Sequence, residues 1–195
     1  MATATTSPTA IPISIWQANS VIPPDALGLI YYGFKYNIDN GEATIIDYIG
    51  DSSIAEMIVP ALLGGAKVVG IGSLKNNDKE HEYYNNTYIF KECGNLESIY
   101  LPDTIRIIGN YAFYDLKKLT NITLSKDLDS IGDSAFLDRK SLIGITIPNG
   151  VIYVGSYAYS GCDVLTVVKI PDSVVILGER AFSGCEELQR VVLSE

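Results

Sequence analysis

Apolar and small residues recur along most of this chain at one fixed step. The aromatic positions Phe90, Phe113, Phe136, Tyr159 and Phe182 are each separated by 23 residues. Leu96, Leu119, Leu142, Leu165 and Leu188 keep the same step, as do Ile99, Ile122, Ile145, Val168 and Val191. Leu101, Leu124, Ile147, Ile170 and Leu193 form a fourth register. Ala112, Ala135, Ala158 and Ala181 form a fifth, with Ile89 in its first slot. Gly109, Gly132, Gly155 and Gly178 form a sixth, with Asn86 in place of the first glycine. Agreement of six registers over five units is the mark of a stacked repeat architecture.

Each register implies a local structure. Apolar residues two apart, such as Ile99 and Leu101, alternate inward and outward like a short strand. Pro102, Pro148 and Pro171 follow and end it, because proline donates no ladder hydrogen bond. The glycine suits a tight turn, either where a side chain would clash or where φ must be positive. The alanine beside each aromatic residue implies a narrow place, and the aromatic ring fills the rung and stacks on the next. One rung alone buries too few side chains to offset the entropy of ordering its backbone, so stability is cumulative along the stack.

Upstream, Met57, Val59 and Pro60 read as a degenerate first strand and its proline, and Ile71-Gly72 matches Ile108-Gly109. Ile71 lies 19 residues before Phe90, whereas Ile108 lies 5 before Phe113, so the first rung carries a 14-residue insertion at about 74–87. Before it, Ile30, Tyr32, Phe34, Tyr36 and Ile38 alternate, Asp39-Asn40-Gly41 signals a turn, and Ala43 to Tyr48 returns. The expected organisation is an N-terminal arm over 1–27, a β-hairpin cap over 28–53 and a solenoid over 54–195.

The segments IGDSAF (131–136) and SYAYSGCDVLTVVKIPDSVVILGERAFSGCEEL (156–188) resemble the BspA-like type of leucine-rich repeat. The resemblance covers about 54–195, and the hairpin before it is similar to the opening usual in that family. It implies a mainly β leucine-rich-repeat solenoid with short helical turns, a right-handed curved stack whose strands line the concave face. It also implies a surface protein associated with adhesion and protein binding, without catalytic residues. The family often has Cys where this chain has Leu116 and Arg139, so an unbroken cysteine column is absent.

Charge and chemistry narrow the function classes. The chain carries 14 basic and 23 acidic residues, a net charge of −9, with no basic run. This disfavours nucleic acid and anionic lipid as partners, and the acidity reads as solubility. No apolar stretch reaches the ~18 residues that span a bilayer. Residues 1–29 hold no Lys or Arg, so no secretory signal is visible. The three cysteines, Cys93, Cys162 and Cys185, form no CxxC pair, and with His81 as the one histidine a zinc site is not expected. His81 lacks a nucleophile and an orienting acid. Gly70-Ile71-Gly72 lacks the third glycine of a dinucleotide loop and is explained by the repeat. Asp127, Asp129 and Asp133 lack the remaining oxygen ligands of a calcium loop. Cys162 and Cys185 share a register in adjacent rungs, which permits a disulfide by distance, although stacked side chains run parallel and favour buried thiols. Asn85-Asn86-Thr87 and Asn121-Ile122-Thr123 are glycosylation sequons only in a eukaryotic secretory context. No cofactor is expected.

With Ile99 and Leu101 inward, Ser98, Tyr100 and Asp103 point to the concave face, and the central column is Tyr100, Thr123, Thr146, Lys169 and Val192. Tyr83 and Tyr84, with Tyr88, either contact a partner or simply cover the first rung. Ile11, Ile13, Ile15 and Trp16 form an apolar arm, and the last rung ends in Val191 and Leu193. The expected function is a non-catalytic scaffold that binds a protein or glycoprotein, extracellular or at a cell surface, with the cytoplasm as the alternative. The alternative function is a structural subunit that polymerises into a homo-oligomer or filament, the arm docking on the open last rung.

Overall fold

The computed structural model describes residues 30–31, 33–72 and 88–193; the arm over 1–27 and the insertion at about 74–87, with His81, Tyr83 and Tyr84, lie outside them. The described chain opens with β1 (Ile30–Tyr31), β2 (Phe34–Asp39) and β3 (Glu42–Tyr48). β2 and β3 form an antiparallel hairpin closed by Asn40 and Gly41, both at positive φ (50° and 80°). That is the two-residue turn whose twist matches the flanking strands. β3 then pairs in parallel with a later strand, so the hairpin enters the main sheet instead of standing apart.

The coil continues through β4 (Glu56–Ile58), β5 (Leu62–Leu63), β6 (Ala66–Ile71), β7 (Ser98–Tyr100), β8 (Ile107–Ile108) and β9 (Asn121–Thr123). It ends with β10 (Ser130–Ile131), β11 (Gly144–Thr146), β12 (Tyr153–Val154), β13 (Val167–Ile170), β14 (Ile176–Leu177) and β15 (Arg190–Leu193). Each repeat therefore makes two strands. The first set forms two parallel sheets, β4-β7-β9 and β11-β13-β15, and the second belongs to one long sheet, β1-β2-β3-β6-β8-β10-β12-β14. Pairing runs at the repeat step: Ile99 pairs with Ile122 and Val168 with Val191, while Ile71 pairs with Ile108 across the repeat that carries the insertion. This is a leucine-rich-repeat solenoid. The second ladder is not among the sequence expectations, because only two residues per rung contribute to it.

Between the ladders the chain turns without forming a helix among the described residues. The carbonyls of Pro102, Pro148 and Pro171 accept from the amides of Ile105, Val151 and Val174, so each proline ends one strand and opens the turn toward the next. After the second strand, left-handed backbone falls on Tyr111, Ser134, Tyr157 and Arg180 (φ 54°, 53°, 56° and 55°). None is glycine, and the conformation costs ~1–2 kcal/mol per residue. It lets the amides of Tyr111, Ser134 and Tyr157 bond the following rung, at the carbonyls of Asp133, Ser156 and Glu179, each at 2.9 Å. The register glycines two residues earlier are not in this region. They are required by proximity: a Cβ on Gly155 would lie 2.5 Å from the Asp133 amide nitrogen, and one on Gly132 would lie 2.6 Å from that of Asn110. Of the two roles open to the glycine, avoidance of a clash is the one that operates.

The core is a column of rings. Phe90, Phe113, Phe136, Tyr159 and Phe182 stack with centroids 5.5, 5.2, 4.9 and 5.4 Å apart and nearly parallel planes. Tyr48 meets Phe90 at 6.1 Å, which joins the hairpin to the column. Leu96, Leu119, Leu142 and Leu165 are buried around it. Beside the rings, the slot of Cys93, Leu116, Arg139, Cys162 and Cys185 follows a second rule. Cys162 donates to the Phe136 carbonyl at 3.4 Å and Cys185 to that of Tyr159 at 3.2 Å. Arg139 occupies the equivalent place, donating to the carbonyls of Phe113 at 3.5 Å and Leu119 at 2.5 Å. Its side chain is fully buried, its Nε lacks a partner, and no carboxylate among the described residues lies within ion-pair distance. Burial pulls its pKa down to about 10.

Two substitutions test this core from opposite sides by urea titration. Phe136→Ala removes a ring from the middle of the stack and is expected to cost ~3–5 kcal/mol; a loss under ~1 kcal/mol would place Phe136 outside the interior. Arg139→Leu puts the residue type of Leu116 into the same slot one rung on, and removes a buried unpaired charge. It is expected to raise stability by ~1 kcal/mol or more. A fall in stability would mean that the two carbonyl bonds outweigh the desolvation of the guanidinium.

Candidate interaction face

The alternation that buries Ile99, Ile145 and Val168 turns the intervening residues outward. Tyr100 is 49% exposed, and Thr123, Thr146 and Lys169 are exposed in the same column, while Val192 is half-buried. Tyr100 pairs with Thr123, Thr146 with Lys169 and Lys169 with Val192, so neighbours in each sheet sit one ladder spacing apart. The flanking column is Glu97, Thr120, Ile143, Thr166 and Gln189, in which Ile143 is 64% exposed. Thr120 and Thr166 turn their hydroxyls onto the carbonyls of Glu97 and Ile143, at 3.3 and 3.1 Å, which presents their methyl groups on fixed backbone. Ser98 departs from expectation: it is buried. Its small side chain sits in the ladder between Glu56 and Asn121, and these larger neighbours cover it.

Around this face the charges pair along the repeat step. Lys126 meets Asp103 at 2.6 Å, Arg106 meets Asp129 at 2.7 Å and Lys140 meets Asp163 at 3.4 Å. All are substantially exposed, so each contributes little to stability. The Lys126 bond holds the Asp103 carboxyl below the usual carboxylate range. Two of the three aspartates of the candidate calcium set, Asp129 and Asp133, have other partners. Asp129 pairs with Arg106, and the Asp133 carboxylate accepts from the Ser156 amide at 2.8 Å and the Tyr153 hydroxyl at 3.0 Å. No cluster of three or more His, Cys, Asp or Glu placed for a metal occurs among the described residues.

A second aromatic group lies on the side of the stack. Tyr88 stacks on Tyr114 at 4.6 Å and meets Tyr111 edge-on at 5.8 Å. Burial raises the Tyr114 pKa, helped by the nearby Asp138 and Asp115. Tyr88 thus packs on the first rungs; Tyr83 and Tyr84 fall outside the described residues. Tyr111 and Tyr114 lie three residues apart on one turn, outside the six repeat registers. In the last described rung, Val175 is 81% and Leu193 69% exposed, with Ile176, Leu177 and Val191 also exposed. Ile11, Ile13, Ile15 and Trp16 lie outside the described residues.

No helix among the described residues is long and apolar enough to cross a membrane. No curated protein sequence matches the chain significantly. Among solved structures, a leucine rich cell surface protein from Faecalibacterium prausnitzii A2-165 is similar over 85% of this chain and 39% of its own, at 24% identity and a TM-score of 0.66. The T. pallidum leucine rich repeat protein is similar over 83% of this chain and 82% of its own, at 22% identity and a TM-score of 0.56. A leucine-rich repeat protein from Bacteroides ovatus is similar over 84% of this chain and 46% of its own, at 23% identity and a TM-score of 0.57. The chain thus spans less than half the length of two of these relatives, and at such identities the likeness establishes the fold. The model of the BspA type leucine rich repeat region matches residues 85–195 in six copies, more than half of the chain, and the protein belongs to that family.

Proposed function

We propose that this chain is a non-catalytic scaffold, extracellular or on a cell surface, that binds a protein or glycoprotein through the outward column Tyr100, Thr123, Thr146 and Lys169. The observation that carries the reading is this face itself: exposed side chains at ladder spacing within each of two short sheets, with Tyr100 and Lys169 on strands paired on both sides. Tyrosine and threonine beside the exposed Ile143 give a mixed apolar and hydrogen-bonding surface, which suits a protein contact more than a charged small ligand. The cell-surface description of the F. prausnitzii neighbour supports the location.

A second reading is end-to-end assembly. It draws on the exposed Val175, Ile176, Leu177 and Leu193, and on β14 and β15, whose outer edges have no strand partner among the described residues. In this reading the arm bearing Ile11, Ile13, Ile15 and Trp16 covers the last rung of a neighbouring copy. Light scattering separates the two: removal of residues 1–22 lowers the mass of an assembly, whereas clean monomers before and after removal contradict it.

The binding reading is tested by surface plasmon resonance against a panel of purified extracellular-matrix glycoproteins. Wild type is expected to bind at least one at micromolar Kd or tighter, with little change between low and high salt, because Lys169 is the one charge in the column. The double variant Tyr100→Ala/Ile143→Asp is expected to weaken binding at least ~tenfold with unchanged circular dichroism. Equal binding by the variant would remove this face from the site.

A further inference from the structure

The outward column is not carried on one continuous sheet. The sheet β4-β7-β9 ends at β9, and the next rung opens a separate sheet, β11-β13-β15. At other rung boundaries the same bonds recur. The amides of Thr120 and Asn121 reach the Glu97 carbonyl at 3.0 and 3.1 Å, and those of Gln189 and Arg190 reach that of Thr166 at 3.0 and 3.2 Å. At the far end of the strands, the Val59 amide reaches the Tyr100 carbonyl at 3.0 Å and the Ile147 amide that of Lys169 at 3.2 Å. Among the described residues no such bond joins Ile143 or Gly144 to Thr120, or Leu124 to Thr146. Across the solenoid these two rungs stay paired: the Ile152 amide bonds the Asp129 carbonyl at 2.9 Å, and Gly155 bonds that of Ile131 at 2.8 Å. The two rungs are joined on one side and parted on the other.

Two independent observations mark the same boundary. The rings of Phe113 and Phe136, which belong to these rungs, are tilted by 16°, against 8°, 4° and 8° at the other contacts of the column. Ile122 and Leu124 are half-buried, whereas their equivalents Ile99, Ile145 and Val168, and Leu101, Ile147 and Ile170, are buried. The core is thus accessible along the opening. The sequence supplies a reason. Gly144 takes the strand position that Ser98, Asn121, Val167 and Arg190 hold in other rungs, and glycine weakens a strand by entropy and by the lack of a side chain to pack. Ser125 stands where Pro102, Pro148 and Pro171 fix the following turn.

We propose that this seam is a hinge in the interaction face. The sheets β4-β7-β9 and β11-β13-β15 swing together and apart about the β10–β12 ladder and the Phe113–Phe136 contact. When the seam is open, Tyr100 with Thr123 and Thr146 with Lys169 are two separate contact pairs; when it is closed, the four make one column. Closing forms the missing ladder bonds and covers Ile122 and Leu124, while opening returns freedom to the backbone around Gly144. The hinge stands on the backbone alone. Its bearing on recognition rests on the reading of this column as the binding face, where a partner spanning Thr123 and Thr146 selects the closed position.

The test needs no partner, so its outcome is separate from that of the binding experiment. Parallel neighbours at ~4.8 Å fall inside the ~4.4–6.8 Å between Cα atoms that a disulfide requires, so a cysteine pair reports closure. The full chain carrying Thr123→Cys/Thr146→Cys is compared with Thr146→Cys/Lys169→Cys, whose positions are already ladder partners, under oxidised glutathione with peptide mapping. Both pairs are expected to link, the seam pair at least ~tenfold more slowly. A seam pair that never links while the control does means a fixed gap and overturns the hinge; equal rates mean a continuous sheet and overturn it too. Amide hydrogen exchange on the wild type gives a second reading. Strand alternation turns the Ile122 and Thr146 amides toward the seam, and they are expected to exchange at least ~tenfold faster than the paired Asn121 amide. Equal protection contradicts the seam. A Cβ on Gly144 meets only the Val167 carbonyl, at 3.8 Å, so Gly144→Val fits. It is expected to slow exchange at Ile122 and Thr146 and leave Ile152 and Gly155 unchanged. No change at Ile122 and Thr146 overturns the role given to Gly144.

Discussion

At the glycine column the backbone of one rung leaves no room for a side chain on the next, and the rest of the molecule depends on that approach. Where Gly132 follows Asn110 and Gly155 follows Asp133, backbone meets backbone with no room for a Cβ. With that distance set, the second ladder can form from only two residues per rung, and the rings of Phe113, Phe136 and Tyr159 reach stacking separation. The left-handed residues after each glycine turn their amides onto the next rung, and the side chains of Asn110 and Asp133 accept from the amides of Asp133 and Ser156, each at 2.8 Å. Local strain is thereby exchanged for bonds between rungs.

The same spacing makes a surface. Side chains that alternate away from the core emerge at ladder distance within each sheet, so Tyr100 with Thr123, and Thr146 with Lys169, are carried on paired backbone that has little freedom to move independently. A face of this kind can be rewritten residue by residue without touching the registers beneath it, since those use the opposite side of each strand. The slot of Arg139, Cys162 and Cys185 shows how far the interior tolerates variation. Any residue that can donate to the aromatic residue's carbonyl in the previous rung satisfies the backbone there, and an apolar Leu116 fills the same space.

Much of the fold was legible because buried positions repeat. The aromatic, leucine and Ile-x-Leu registers all describe the interior, and the hairpin announced itself through alternation and Asn40-Gly41. What was not legible has physical reasons. Two-residue strands such as Ile107–Ile108 are too short to show a period. Tyr111, Ser134, Tyr157 and Arg180 adopt positive φ without the glycine that signals it. Ser98 is covered by strand neighbours that only the register reveals. The column of Tyr100 could be placed by geometry, but tyrosine, threonine and lysine side by side encode no single ligand chemistry.

Because close approach at the glycine column is the central claim, its most direct test compares two alanine substitutions in urea. Gly155→Ala places a Cβ 2.5 Å from the backbone of the preceding rung, whereas nothing lies within 4 Å of a Cβ on Gly94. The expected result is a loss of ~1–3 kcal/mol or more for Gly155→Ala and almost none for Gly94→Ala. Equal stabilities for the two variants would contradict the account.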